Sequence, residues 1–212
     1  MLKQHVFLIY QMSRREVLGR YRGSMMGLLW SFASPLVMLA VYTFVFGTVF
    51  RVRWQTGDGD TASFALNLFA GVLLHSFLAE CLNRSPALIA ENTGYVKKVV
   101  FPLWIIPVVL VLAALFHLLV GLLVLLVAAG VVQQQVHAGV LLLPLLLLPF
   151  ALLALGLSWF IAALGVYLRD LAQVLPVVST MLLFLAPVLY PLEALPAGLR
   201  EEVGELAATL RA

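Results

Sequence analysis

The sequence predicts an all-α membrane protein, a helical bundle of about five transmembrane helices. Of its 212 residues, 63% are hydrophobic and 11% are charged, whereas a soluble domain is about 45–50% apolar and about 25% charged. The apolar residues form runs of about 20 or more, the length that a helix needs to cross about 30 Å of hydrocarbon. The runs show no period-two alternation, which argues against a soluble β protein.

Short charged segments separate the apolar runs along the chain. The predicted spans are residues 28–50, 64–82, 103–132, 140–167 and 171–190. The third and fourth exceed a straight crossing, so we expect them to tilt or to bend at prolines. Residues 1–212 contain no internal repeat, low-complexity segment or soluble domain. The sequence therefore predicts a single membrane domain, in which Cys81 is a small buried hydrophobe without a disulfide partner.

The distribution of basic residues predicts the orientation. With the N-terminus inside, the inner segments contain Lys3, Arg14, Arg15, Arg20, Arg22, Arg84, Lys97, Lys98 and Arg169. The outer segments contain Arg51, Arg53, Arg200 and Arg211. Because cytoplasmic loops carry the excess of Lys and Arg, the N-terminus is expected in the cytoplasm. The net charge of +3 is explained by this orientation rather than by nucleic-acid binding.

An amphipathic segment is expected at each end of the chain. In 1–27 an apolar stripe predicts an interfacial helix, formed by Phe7, Tyr10, Val17, Tyr21 and Met25. Arg14 falls inside this stripe and would have to snorkel. In 191–212 a second stripe predicts an outer amphipathic tail, formed by Leu199, Val203, Leu206 and Leu210.

The residues that would energise transport or catalyse a reaction are nearly absent from the sequence. A phosphate-binding loop needs Gly-x-x-x-x-Gly-Lys-Ser/Thr, and no Lys follows a Gly here, so no ATP site is expected. No metal-ligand spacing and no nucleophile with a base is visible. The ionisable exceptions within the spans are His75 and His117, with Glu80 close to the cytoplasmic end of the second span. They are interpreted either as a proton relay or polar substrate contact, or as neutral imidazoles hydrogen-bonded to a neighbouring helix.

A transporter that has no ATP site of its own depends on a separate subunit that hydrolyses ATP. Such a subunit would have to bind short helices on the cytoplasmic side of the transporter. The segment 83–102 is a candidate, since Ser85 can cap a helix that Pro86 begins and Gly94 ends. The alternative is a solvated connector whose charges only orient the chain.

The motifs resemble one family. Arg20 to Phe50 contains Arg-Tyr-Arg-Gly-Ser, then Gly27, Leu29 and Trp30, then Pro-Leu and Val-Phe-Gly. This order is similar to the opening of ABC-2 type permeases that export O-antigen, capsule or teichoic acid. Lys-Val-Val-Phe-Pro at 98–102, Tyr-Leu-Arg-Asp-Leu at 167–171 and Ala-Pro-Val-Leu-Tyr-Pro at 186–191 extend the resemblance over nearly the whole chain.

The resemblance implies a dimeric permease of the bacterial inner membrane that exports a lipid-linked polysaccharide. A separate ATP-binding subunit would carry the ATP and Mg²⁺, and this chain would need no cofactor. The coupling residues implied are Arg14, Arg15, Arg20, Tyr21, Arg22, Arg84, Asn92, Tyr95, Lys97 and Lys98. The candidate pore or substrate contacts are Phe32, Tyr42 and Phe46, although aromatic residues in spans more often face lipid or pack.

The sequence departs from the family pattern at its end. Family members continue after the outer amphipathic segment with a sixth span, which is missing here, so the chain is expected to be truncated, frameshifted or atypical. Two alternative functions stay open. One is an ABC permease for drugs or other lipids. The other is a membrane-bound lipid-modifying enzyme, whose acidic candidates Asp58, Asp60 and Asp170 the predicted topology places on opposite sides.

Overall fold

A computed structural model describes residues 2–45, 61–94, 101–133 and 142–186, and the regular structure in these ranges is helical throughout. The all-α prediction is therefore confirmed. The helices are α1 Leu2–Arg20, α2 Trp30–Tyr42, α3 Thr61–Arg84, α4 Leu88–Glu91, α5 Ile105–Gln133, α6 Leu143–Tyr167 and α7 Leu171–Leu185. Short 3-10 turns at Gly27–Leu29 and Ser85–Ala87 precede α2 and α4. The predicted tail 191–212 lies outside the described residues.

Within the described ranges, four helical stretches are long and apolar enough to cross a membrane. They are Gly27–Val45, Phe64–Glu91, Ile105–Val132 and Leu143–Tyr167, in agreement with the first four predicted spans. α7 is apolar, but its 15 residues extend only about 22 Å. The fifth predicted span continues to Tyr190, and 187–190 lie outside the described residues.

The long helices α3 and α5 form the centre of the bundle. In the span that contains α5, 56% of the residues in the most apolar stretch are buried, and in the span that contains α3 the share is 39%. In the span that contains α2 only 6% are buried. The main core cluster comprises Phe77, Cys81, Val111, Ala114, Leu118, Leu122 and Ala154. Cys81 is fully buried, as predicted. α2 therefore packs at the edge of the described bundle.

Helix α1 packs lengthwise against the first half of α5. The His5 and Trp104 ring centroids lie 5.9 Å apart at one end, and those of Tyr21 and His117 lie 5.8 Å apart at the other. Both pairs advance in the same direction along the chain, so the two helices run side by side. This packing places Tyr21, directly after α1, beside His117 in the middle of α5.

The predicted helix over 1–27 is shorter in the structure, where α1 ends at Arg20. A turn follows in which Gly23 has φ +90° and Gly27 has φ +50°. Backbone with positive φ is strained for residues that carry a Cβ. The glycine of Arg-Tyr-Arg-Gly-Ser is therefore needed for the turn that redirects the chain from α1 into the first span.

Replacing Gly23 by alanine tests this turn. Because the new Cβ must adopt φ +90°, we expect Gly23→Ala to lower the free energy of unfolding by about 1–2 kcal/mol. Thermal denaturation of the purified protein in detergent measures the change. Gly19→Ala is the matched control, since Gly19 lies inside α1 with open space around it and helical alanine is favoured over glycine. Equal melting temperatures for the two variants would contradict the role of Gly23.

Candidate functional site

Four charged side chains connect α1 to the cytoplasmic end of α3, as the predicted topology places it. Arg20 pairs with Glu80, Arg84 donates to Glu16 at 2.5 Å, and Arg84 Nη1 lies 3.6 Å from Glu80. Glu80 and Arg84 are one helical turn apart, as are Glu16 and Arg20, so each helix contributes one acid and one base. We call these four residues the charge cluster.

The charge cluster is partly withdrawn from solvent, and Glu80 is its least exposed member. The Glu80 side chain is 19% exposed, and those of the other three residues are 35–36% exposed. Desolvation lowers the pKa of Arg20, but its hydrogen bond to Glu80 and the nearby Glu80, Tyr21 and Glu16 outweigh this and raise the pKa overall. The formal charges cancel, so the charge cluster is suited to joining two helices rather than to attracting an ion.

Tyr21 extends the contact from the charge cluster to α5. Its hydroxyl lies 3.2 Å from His117 Nδ1. Burial is the main cause that raises the pKa of Tyr21, so the phenol keeps its proton and can donate to the imidazole. One of the two sequence interpretations expects a hydrogen bond from His117 to a neighbouring helix, and the structure provides one to Tyr21 in the turn directly after α1. Among the described residues, His117 Nε2 has no hydrogen-bond partner.

The helix predicted to begin at Pro86 begins at Leu88 instead, because the 3-10 turn Ser85–Ala87 comes first. Ser85 does not cap this helix. Its hydroxyl donates to the Cys81 carbonyl at 2.5 Å, since Ser85 directly follows α3 and lies one turn beyond Cys81. α4 ends at Glu91 rather than at Gly94, since the Asn92 amide donates to the Leu88 carbonyl at 2.8 Å. Thr93 and Gly94 are helical again.

This segment, residues 85–94, contacts the three helices that follow it, and Leu88 packs in one core cluster with Ile106 and Leu110 of α5. A Cβ built on Gly165 of α6 would lie 2.3 Å from the Pro86 carbonyl oxygen, so the two backbones touch. On α7, the Ser179 hydroxyl donates to Asn83 Oδ1 at 2.8 Å, immediately before the segment. Small residues permit such close helix packing in membranes. The segment is thereby fixed to the transmembrane bundle.

A cavity of about 400 Å³ opens between the first, second and third spans, beside the charge cluster. Arg20, Tyr21, Glu80 and His117 line its charged end, and Tyr42 lines it farther along α2. The ring centroids of Tyr42 and Phe69 lie 6.5 Å apart. Of the three aromatic candidates, Phe32 is 36% exposed and lies outside this lining, while Phe46 is not among the described residues.

The structure divides the predicted coupling residues into three groups. Arg20, Tyr21 and Arg84 join the charge cluster or contact α5, whereas Arg14, Arg15 and Arg22 are exposed on α1 and the turn after it. Asn92 caps α4, and Tyr95, Lys97 and Lys98 lie outside the described residues.

Sequence reasoning missed several residues that hold this site together. They are Glu16, Asn83, Gly165 and Ser179. The i, i+4 spacing of opposite charges within 16–20 and 80–84 is visible in the sequence. It does not reveal that the two pairs face each other.

Comparisons with known proteins agree on one family. Residues 8–203 match the family model described as ABC-2 type transporter. The O-antigen export system permease protein RfbA of Myxococcus xanthus is 29% identical over 92% of this chain and 72% of its own length. A protein of the same name from Klebsiella pneumoniae is 26% identical over 89% of this chain and 71% of its own length.

The contact between Gly165 and Pro86 can be tested by one methyl group. Gly165→Ala must push a backbone aside, so we expect a loss of about 1–3 kcal/mol in the free energy of unfolding. Gly156→Ala on the same helix meets open space and is the control. Thermal denaturation in detergent measures both variants. A Gly165→Ala protein as stable as the control would show that α6 and the segment do not pack this closely.

Proposed function

Since this chain belongs to the ABC-2 type transporter family, we propose that it is the permease subunit of an exporter that moves a lipid-linked polysaccharide out of the cytoplasm. The family match over residues 8–203 is the observation that carries the proposal. The substrate class is suggested by two relatives whose printed names specify O-antigen export. The four membrane-spanning helical stretches agree with a multi-pass membrane protein.

The energy for export is proposed to come from a separate ATP-binding subunit, which would carry ATP and Mg²⁺. The sequence has no phosphate-binding loop, so the permease depends on such a partner. The exposed Arg14, Arg15 and Arg22 offer one basic docking surface. A second docking surface is proposed to consist of Arg84, Asn92, Tyr95, Lys97 and Lys98. Docking at these surfaces would require a cytoplasmic N-terminus, and the location proposed for the protein is the bacterial inner membrane.

A second copy of this chain is proposed to complete the pathway for the substrate. The first span is the least buried of the four, and apolar side chains such as Phe32, Leu36 and Met38 are exposed along it. Packing two such helices together would remove these side chains from lipid and enclose a path between the copies. Phe32, Tyr42 and Phe46 are the residues proposed to offer ring faces to sugars.

The function is tested by reconstitution. Purified permease and a candidate ATP-binding subunit from the same genome are placed in liposomes with a lipid-linked oligosaccharide on the side that exposes the ATPase. We expect the oligosaccharide to cross the bilayer only with both subunits and hydrolysable ATP, as measured by accessibility to an added glycosidase. ATP-dependent movement of a drug or phospholipid in place of the oligosaccharide would overturn the substrate. Chemical conversion of the lipid-linked oligosaccharide in the absence of the ATP-binding subunit would indicate a membrane enzyme.

The second proposed docking surface makes a further prediction. Lys97→Gln combined with Lys98→Gln removes two positive charges from this surface, so we expect about tenfold weaker binding of the ATP-binding subunit, with a reduced salt dependence. The dissociation constant of the two subunits, measured at low and at high salt, would quantify this loss of affinity. Arg169→Gln is the control, since Arg169 is an exposed cation of the same predicted side that lies outside both proposed docking segments. Unchanged affinity in the double variant would exclude this segment as a docking site.

A further inference from the structure

We propose that Glu80 is a positioning residue for energy coupling. Through Arg20 and Arg84 it would hold α1 to the end of α3, so that the two elements proposed to face the ATP-binding subunit move as one body. This inference rests on the proposed function. It goes beyond that function by naming the contact that unites the two docking elements and the path by which their displacement reaches a transmembrane helix.

Glu80 has a special place among the four charges. It is the least exposed of them and contacts an arginine on each side, one from α1 and one from its own helix. Arg84 in turn reaches Glu16, so two of these ion pairs join α1 to α3 and the third, between Glu80 and Arg84, lies within α3. At a partly buried site, removing one carboxylate leaves its cationic partners without full compensation. Loss of the Glu80 charge should therefore loosen α1 from α3.

The segment after α3 is attached to the bundle by other means. The Ser179–Asn83 hydrogen bond and the backbone contact between Gly165 and Pro86 carry no net charge. α1, by contrast, is joined to α3 by ion pairs and rests along α5. A change at Glu80 therefore weakens the link between α1 and α3, while the Arg84–Glu16 pair and the packing of residues 83–86 on α6 and α7 are kept.

The same arrangement provides a route into the spans. Tyr21 directly follows Arg20 and contacts His117, which lies about 18 Å along α5 from Ile105. If α1 and α3 move as one body, a displacement of α1 therefore acts on the middle of α5. The charged end of the cavity is formed by these same residues, so the movement would also change the cavity.

The first experiment removes the Glu80 charge. Permease and ATP-binding subunit are reconstituted together, and oligosaccharide molecules transported per ATP hydrolysed are counted. We expect Glu80→Gln to lower this ratio about tenfold while the ATP-binding subunit stays bound, a loss within the range of typical coupling effects. Arg169→Gln should keep the parent ratio. An unchanged ratio in Glu80→Gln would overturn the inference.

The second experiment restores the connection covalently. Glu16→Cys and Arg84→Cys are introduced together with Cys81→Ala, since the Glu16 and Arg84 side chains meet at 2.5 Å and are partly exposed. A short bis-maleimide then joins α1 to α3, because each cysteine thiol adds to one maleimide and forms a thioether without any oxidant. We expect the unbridged protein to transport less per ATP than the parent and the bridged protein to regain the parent ratio within about twofold, also when Glu80→Gln is present.

The bridge keeps the inference testable if Glu80→Gln alone does not fold. A bridged protein that hydrolyses ATP without transport would show that α1 and α3 have to separate, which would overturn the inference. Failure of the parent complex to transport would instead contradict the proposed function. The two failures are therefore distinguishable.

Discussion

The structure depends on the constraint that hydrocarbon offers no hydrogen-bond partners. Every backbone amide in a span has to be satisfied within the chain, and an α-helix does this with its own residues. The long apolar helices follow from this requirement. The same medium makes an unpaired charge costly, so the charged groups gather near the ends of the spans and in pairs. The charge cluster of Glu16, Arg20, Glu80 and Arg84 is the result at the junction of α1 and α3.

Close packing in such a bundle relies on small residues, because lipid competes for apolar surfaces as well as another helix does. Gly165 lets α6 touch the backbone at Pro86, and Gly121 lets the Leu73 side chain approach α5. These two contacts differ in how well they would tolerate a larger residue in place of the glycine. The end of a leucine side chain can move aside, whereas a backbone carbonyl held by its own segment cannot. The segment after α3 is thereby held firmly where a partner would push.

The proposed docking elements thus share one physical arrangement. A charged helix lies beside a buried span, a short helix follows another span, and ion pairs join them at the boundary. Permease function in this family requires that movement outside the membrane reaches the spans. The contact between Tyr21 and His117 places the N-terminal helix against the middle of α5, which is the most buried of the four spans.

Composition and motifs were enough for the all-α membrane fold, the first four spans and the family, since each depends on local composition or on motifs read in order. They also indicated Arg20, Tyr21 and Arg84 as coupling candidates. That role stays a prediction, but the structure brings all three to the charge cluster or to α5. Tertiary packing was needed to show that Glu16 faces Arg84, that Gly165 touches Pro86, and that Ser85 bonds back to Cys81 rather than capping a helix. Helical periodicity describes which residues share a face of one helix. Which faces meet is set by packing between segments distant in the chain, and no local pattern contains that information.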